Sequence, residues 1–225
     1  MRLRLLDLTK DIKFRIPDTE CVLVNERFFR EIDDPHKAYW LGSLFASAAL
    51  RDDSVTYWRK IGESDHVFKF VSDLNSNANI EFKATQNQNG LAKVTIQSNL
   101  LMKDLLDHGA AAGENLRAPI LAPSLERHFW RGAMDSRGTL FINSANGHMR
   151  LDFTGRGGFC EDFRRYCRKN VKTNANVRHN SRTYRFGIVG TQAAEMAHHL
   201  YDDSDLYLER SMRRYKDIWD KYAKS

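Results

Sequence analysis

Two short stretches decide the fold of this chain: Trp40-Leu41-Gly42-Ser43-Leu44-Phe45 and, 90 residues later, Trp130-Arg131-Gly132-Ala133-Met134-Asp135. Each lies in a segment predicted to be helical. A glycine inside a helix costs roughly 1 kcal/mol relative to alanine, so a glycine at the same point of two helices needs a structural reason. The usual reason is close packing, because a residue without a side chain lets two helix backbones nearly touch.

The predicted elements follow the same order on both sides of a central segment. Residues 110–122 are rich in glycine, alanine and proline, have no apolar period, and are predicted to be a linker. Before the linker we predict helices at 35–49, 65–74 and 100–108 and strands at 81–85 and 93–97. After it we predict helices at 124–134, 159–169 and 192–200 and strands at 139–144, 148–154, 176–180 and 182–189.

An internal duplication is the simplest explanation of two such series. It predicts an α+β fold with two pseudo-symmetric half-domains, at 35–112 and 123–203, each of helix, two strands, helix, two strands and helix. Residues 1–34 are then a lead-in, and residues 204–225 form a C-terminal helix without a counterpart.

The charge of the chain is concentrated in its second half. The whole chain has 35 Lys+Arg and 29 Asp+Glu, a formal charge of +6. Residues 113–225 hold 20 of the basic and 13 of the acidic residues, and the segment from Arg150 to Arg185 alone holds ten basic residues against three acids. A polyanion is a plausible partner for such a surface, although a solvated charged face is the competing interpretation.

Basic and polar residues alternate with apolar ones in the predicted strands. In Met149-Arg150-Leu151-Asp152-Phe153-Thr154 the apolar side chains point one way and the polar ones the other. The stretches at 81–85, 93–97 and 183–188 repeat the pattern. A sheet face that carries Arg, Lys, Gln, Asn and Thr has the residue types that bond phosphates and base edges, so these strands predict a surface that reads nucleic acid.

Other classes of protein and site find little support. No apolar stretch approaches the ~20 residues that span a bilayer, and no signal-peptide core follows Arg2 and Arg4, so we expect an intracellular protein. The cysteines Cys21, Cys160 and Cys167 form neither a disulfide framework nor a C-x2-C pair, and we interpret them as reduced core thiols. The eight histidines show no metal-binding spacing, so we predict no metal site from them.

At the two glycine stretches the sequence resembles the single-chain, two-motif LAGLIDADG homing endonucleases of the phage and bacterial type. The resemblance covers most of the chain. Its first motif is carried by Phe28-Phe29-Arg30-Glu31-Ile32-Asp33 followed by Lys37-Ala38-Tyr39-Trp40-Leu41-Gly42, and its second by His128-Phe129-Trp130-Arg131-Gly132 with Asp135. The end of the first half resembles the family at 96–106, and the C-terminal helix does so at 200–210.

This resemblance implies that the motif helices pack at the centre of the molecule and that each half adds a four-stranded antiparallel sheet. Together the sheets would form a DNA-binding saddle over the major groove. It also implies a carboxylate five positions after each motif glycine, which holds divalent metal against the scissile phosphates. We expect a monomer, because both halves lie in one chain, and a mobile-element or phage protein in the cytoplasm or nucleoid of a bacterial host.

The sequence departs from this pattern at both metal positions. Five residues after Gly42 stands Ser47, and five after Gly132 stands Arg137. A hydroxyl is a poor lone ligand for Mg²⁺, and a guanidinium repels the metal and favours a phosphate. Asp135 comes two positions too early and in the family supports the helix end, while Asp52 and Asp53 lie beyond the first motif. We therefore predict no catalytic residue, no resident metal and no cofactor.

The leading hypothesis is a sequence-specific double-stranded DNA-binding protein derived from a homing endonuclease, inactive in cleavage and acting as a repressor or competitor. The alternative is an active endonuclease or nickase, which alone would require Mg²⁺, and a third hypothesis is an RNA-splicing maturase. The predicted DNA-binding residues share a basic or amide side chain or a hydroxyl: Lys83, Thr85, Lys93, Gln97, Arg137, Asn143, Arg150, Arg156, Arg178, Arg182 and Arg185.

Overall fold

A computed structural model describes residues 22–51, 53–84, 90–110 and 116–223. Within them lie seven α-helices: α1 (Pro35–Ser47), α2 (Ser64–Asp73), α3 (Asn99–Asp107), α4 (Pro123–Arg137), α5 (Gly157–Asn170), α6 (Thr191–Tyr201) and α7 (Glu209–Tyr222). The strands of the same residues are β1 (Ala49–Arg51), β2 (Ser54–Lys60), β3 (Glu81–Lys83), β4 (Leu91–Gln97), β5 (Gly138–Ile142), β6 (Met149–Gly155), β7 (Arg178–Asn180) and β8 (Thr183–Val189).

The strands form two four-stranded antiparallel sheets with the same topology. Their orders are β1-β2-β4-β3 and β5-β6-β8-β7. The duplicated order of elements and the α+β fold predicted from the sequence are thereby confirmed. None of the helices in the described ranges is long and apolar enough to cross a membrane.

The chain divides into two compact units. One comprises residues 1–33 and 48–108, and the other residues 34–47 and 109–225. Helix α1 is grouped with the second unit because it packs along α4. The half-domains predicted from the repeat, at 35–112 and 123–203, are continuous in sequence. The two units are defined by contacts between residues, so their bounds differ from those of the half-domains. Residues 111–115 of the linker predicted at 110–122, and most of the lead-in, lie outside the described residues.

The first unit buries one face of its sheet under α2. Tyr57 of β2 packs its ring against Phe70 of α2 with 5.0 Å between centroids, and its hydroxyl lies 2.7 Å from Nδ1 of the buried His66. The alternation of β2 and β4 adds the buried side chains of Val55, Ala92, Val94 and Ile96. Val67 of α2 and Leu101 and Leu105 of α3 are buried in the same unit. The other face of this sheet is left to solvent.

The second unit has an aromatic core between its sheet and helices. The ring centroid of Phe163 lies 4.7 Å from that of Phe153 and 5.8 Å from that of Phe186. Trp130 of α4 packs on the same ring, with 5.1 Å between centroids. These contacts place α5 against the apolar face of β6 and β8. The same alternation that buries Phe153 and Phe186 turns their neighbours to the opposite face.

Two predicted boundaries are corrected. The C-terminal helix begins at Glu209 rather than at residue 204, because Leu208 has an extended backbone and donates its N–H to the Asp135 carboxylate at 2.8 Å. Strand β8 begins at Thr183, so Arg182 lies in the turn after β7, where Ser181 has a φ of 53°.

Candidate nucleic-acid interface

Helices α1 and α4 touch at their glycines, as the sequence predicts. A β-carbon on Gly42 would lie 1.9 Å from the carbonyl oxygen of Phe129, and one on Gly132 would lie 1.9 Å from that of Tyr39. No atom pair can approach so closely without moving a backbone. Next to this contact the hydroxyls of Ser43 and Ser136 are 2.8 Å apart. The glycine contacts and this hydrogen bond therefore fix the register of α1 against α4.

Asp135 ties the end of α4 to three other segments. Its carboxylate is buried and accepts hydrogen bonds from the hydroxyls of Tyr39 and Tyr201, each at 2.7 Å, and from the N–H of Leu208. Burial raises the pKa of this carboxyl, while those donors act in the opposite direction. An oxygen pair so fully engaged has a structural role, which agrees with the supporting role that the resemblance implies.

Ser47 and Arg137, the positions at which the sequence resemblance implies metal-binding acids, are the last residues of α1 and α4. The Ser47 hydroxyl donates to the carbonyl oxygen of Ser43 within α1 at 3.1 Å. The exposed Arg137 donates from Nε to the carbonyl oxygen of Ala46 at 3.0 Å, so its guanidinium caps the neighbouring helix. A cation at a helix C-terminus is favoured by the helix dipole. Neither side chain suits a divalent cation, and within the described ranges no three His, Cys, Asp or Glu side chains form a metal cluster.

The second sheet presents a polar face, which we call the second open face. Cross-strand pairing places on it Thr139, Phe141, Arg150, Asp152, Thr154, Arg178, Asn180, Thr183, Arg185, Gly187 and Val189. All of them except Asp152 are half-buried or exposed. Three predicted DNA-binding arginines, Arg150, Arg178 and Arg185, are thus brought to one surface.

Two of these arginines share one carboxylate. Arg150 donates from Nε to Asp152 Oδ2 at 2.8 Å. Arg185 donates from Nε to Oδ1 at 3.1 Å and from Nη2 to Oδ2, a two-pronged contact across neighbouring strands. The ion pair raises the pKa of Arg185. Both arginines were predicted from the sequence to bind DNA, whereas their contact with Asp152 was not predicted.

The first sheet presents the first open face. Its residues are Ala49, Arg51, Ser54, Thr56, Trp58, Lys60, Glu81, Lys83, Leu91, Lys93, Thr95 and Gln97. Glu81 lies between the predicted DNA-binding lysines, 3.1 Å from Lys83 and 3.4 Å from Lys93. The interaction with Lys83 lowers the pKa of Glu81. This arrangement leaves each lysine partly neutralised.

Sequence reasoning missed the contribution of β1 and β2 to that face. Thr56 lies beside Thr95 with their hydroxyls 3.1 Å apart, and Trp58 pairs with Lys93. The alternation of Ser54, Thr56, Trp58 and Lys60 was a usable signal. Arg59 obscures it, because this arginine occupies an apolar position, where its guanidinium lies 4.7 Å from the ring centre of Tyr57.

The remaining predicted residues lie at the margins. Asn143 follows β5 and accepts from the N–H of Ala145 in a local turn. Arg156 precedes α5 and Arg182 lies in the β7–β8 turn, both exposed. Gln97 ends β4 on the first open face. Thr85 lies outside the described residues.

Part of the basic run belongs to α5 rather than to the open face. Arg164 pairs with Glu161 at 2.6 Å, and Arg165 pairs with Asp162. Lys169 reaches Glu126 at 2.8 Å. These cations sit on a helix that covers the apolar face, so here the solvated charged face is the better interpretation.

The described cysteines are unsuited to chemistry at neutral pH. Cys160 and Cys167 are free and buried. Burial raises the pKa of Cys160 to about 12 and also raises that of Cys167. Both agree with the predicted core role, while Cys21 lies outside the described residues.

Comparison with known proteins identifies the architecture. No protein-family model matches the sequence at a significant level, and neither does any curated protein. The solved LAGLIDADG meganuclease I-CpaMI, bound to uncleaved DNA, is 9% identical over 85% of this chain and 92% of its own, with a TM-score of 0.57.

Two further structures show the same likeness. The LAGLIDADG meganuclease I-AabMI, also bound to uncleaved DNA, is 10% identical over 85% of this chain and 92% of its own, with a TM-score of 0.55. Full-length DUF199/WhiA from Thermatoga maritima is 12% identical over 87% of this chain and 66% of its own, with a TM-score of 0.54. With its duplicated sheets and its glycine-packed helix pair, the chain has the LAGLIDADG fold.

Proposed function

We propose that this chain is a sequence-specific double-stranded DNA-binding protein that has lost the cleavage chemistry of homing endonucleases and acts by occupying its site, as a repressor or competitor. The observation that carries the proposal is the paired end of α1 and α4. There a back-bonded serine and a capping arginine stand where the resemblance implies two carboxylates.

Metal-assisted cleavage needs hard, anionic oxygen ligands beside the scissile phosphate. Ser47 offers a neutral hydroxyl that is already bonded to its own helix, and Arg137 offers a permanent positive charge. Mg²⁺ therefore does not fit the residues present. The same guanidinium suits a DNA phosphate, so the exchange favours holding the backbone over cutting it.

The two open faces supply the chemistry of DNA recognition. Arginine and lysine bond phosphates, while arginine, glutamine and asparagine also bond base edges in the major groove. In the described residues, the second open face carries three arginines, Arg150, Arg178 and Arg185, and one acid, Asp152. The likeness in fold to meganucleases solved on DNA supports the same class of partner.

The test combines selection of bound duplexes from a random pool with two assays on the selected site. Gel shifts measure affinity, and incubation of a site-bearing plasmid with Mg²⁺ or Mn²⁺ measures cleavage. We expect a shift and neither linear nor nicked product. A metal-dependent nick or linear band would instead support the endonuclease hypothesis.

A second arm separates DNA from RNA. Structured RNA and single-stranded DNA of the selected sequence should compete poorly with the duplex. Preferential binding of a folded RNA would favour the maturase hypothesis. Sedimentation of the complex should give one chain per site, as we propose for a single chain that contains both halves.

A further inference from the structure

We propose that Asp152 is a positioning residue that holds Arg185, and with it Arg150, in a conformation that reads guanine in duplex DNA. The inference rests on the proposed function and deepens it, because it names the base that the second open face recognises. The basis is the shared carboxylate in the middle of that face.

Asp152 is placed unusually for an acidic residue on a solvent-facing sheet. It lies in β6 between Thr139 of β5 and Gly187 of β8. Its side chain is only 5% exposed, whereas those of Arg150 and Arg185 are 37% and 40% exposed. The carboxylate therefore lies beneath the two guanidinium groups, and the arginines form the accessible layer.

Gly187 makes room for this arrangement. A β-carbon at Gly187 would lie 2.1 Å from Asp152 Oδ1 but 3.5 Å from the carbonyl oxygen of Leu151. The missing side chain thus serves the carboxylate rather than the backbone. A glycine in the interior of a strand otherwise weakens it, and close approach of another group is a recognised reason for one.

The contact leaves the reading end of Arg185 available. A guanidinium has five N–H donors, and the edge made by Nε and Nη2 is used by Asp152. The end made by Nη1 and the second N–H of Nη2 matches the O6 and N7 acceptors of guanine. Adenine presents its N6 amino group there, a donor that cannot pair with a second donor.

Asp152 itself is a poor base reader. Both of its oxygens already accept from arginines, and its side chain is covered. A carboxylate that pairs with cytosine would have to be open to the groove. Its effect on the arginines is to reduce their rotamer freedom and to offset one positive charge, which weakens attraction to phosphates of any sequence while it keeps the directed bond.

The experiment uses two variants and one control in the full chain. Asp152→Asn removes the charge and leaves one acceptor for two arginines. Gly187→Ala displaces the carboxylate by steric contact but leaves the net charge unchanged. Glu161→Gln breaks the pair with Arg164 on α5 and matches the charge change of Asp152→Asn away from the open face. Near-ultraviolet circular dichroism and urea midpoints check that each variant is folded.

The readout is the ratio of dissociation constants for the selected site and for duplexes with single guanine-to-adenine changes, at two salt concentrations. In the unaltered protein we expect roughly a tenfold or larger ratio for one or two guanines. Both open-face variants should reduce this ratio to about threefold or less. The salt slope should steepen in Asp152→Asn and stay the same in Gly187→Ala, and Glu161→Gln should keep the ratio.

The inference is overturned if folded Asp152→Asn and Gly187→Ala both keep the full guanine ratio, or if the selected site contains no guanine that matters. In either case the proposed function stands, because specific duplex binding remains. Absence of any sequence preference in the unaltered protein would overturn both together.

Discussion

The Nε atom of Arg137, the last residue of α4, lies 3.0 Å from the carbonyl oxygen of Ala46 near the end of α1. The end of α1 is thus capped by the last residue of α4, which stands where the resemblance implies an acid. The guanidinium lies at the negative ends of both helix dipoles, where a carboxylate would be repelled. At this position an arginine is therefore more favourable to the helix ends than an acid would be.

Replacement Arg137→Asp should destabilise the protein by about 0.5–1 kcal/mol, since it exchanges a favourable charge for an unfavourable one at two helix ends. Urea unfolding at low and high salt measures this. The loss should shrink at high salt because the interaction is exposed to solvent. An equal or greater stability of the variant would contradict the capping role.

Replacement Gly42→Ala or Gly132→Ala should cost about 3 kcal/mol or more, because each new β-carbon falls 1.9 Å from a carbonyl oxygen of the other helix. The matched control is Gly62→Ala, where no heavy atom lies within 4 Å of the added carbon. Its unfolding free energy should change by less than about 1 kcal/mol. Equally small losses of unfolding free energy at all three positions would mean that α1 and α4 can move apart to accommodate the added carbon.

Replacement Asp135→Asn should cost about 3–5 kcal/mol, because an amide oxygen cannot accept from both tyrosine hydroxyls and the N–H of Leu208 as the carboxylate does. Asp107→Asn is the control, since that exposed carboxylate bonds Lys103 on the surface of α3 and should contribute less than about 1 kcal/mol. Chemical denaturation measures the unfolding free energy of both variants and of the unaltered protein.

Stability should fall as the pH drops from 7 to 5.5, in part because of His66. Burial, with Arg59 and Lys69 nearby, holds the pKa of His66 well below its ordinary value. The unfolded chain takes up a proton near pH 6.5 and the folded chain does not. The contribution of this group is therefore complete above that pH and is lost as the pH falls toward the lowered pKa.

The variant His66→Gln should show a shallower dependence of unfolding free energy on pH in this window, whatever its absolute stability. His148→Gln, which changes an exposed histidine, should keep the original slope. Thermal melts at four pH values suffice. Identical slopes in all three proteins would exclude His66 as the source.

Replacement of Arg185 or Arg182 by alanine should weaken DNA binding more than replacement of Lys83 or Lys93. Both lysines already pair with Glu81, so less of their charge is available to DNA. The Arg185 change should reduce the binding free energy by about 1–3 kcal/mol and relax specificity at one base position. The Arg182 change should weaken binding to DNA of any sequence and lower the salt slope by about one unit. Equal, small losses of DNA affinity in all four variants would mean that the open faces are not the DNA-binding surface.

Local pattern was enough to predict the helix pair and most of the elements, although β1 and β2 were not located. Helical and strand periods repeat within a few residues, and a glycine at matching points of two helices implies close approach. Arg137 and Ser47 could be recognised as departures because they lie at a fixed distance from those glycines. The limits of the last helix could not, since the bond from Leu208 to Asp135 joins positions far apart in sequence.

What the sequence by itself determined, then, is the alternation that makes one face of each sheet polar, and the presence of Ser47 and Arg137 where the resemblance implies two acids. Only the tertiary structure decided which charges on those faces meet. Asp152 reaches Arg185 because β6 and β8 pair in a register that also sets Gly187 beside the carboxylate. Glu81 neutralises Lys93 for the same reason, across β3 and β4. Strand register follows from burial of the whole apolar face, a sum over many residues that no single stretch of sequence contains.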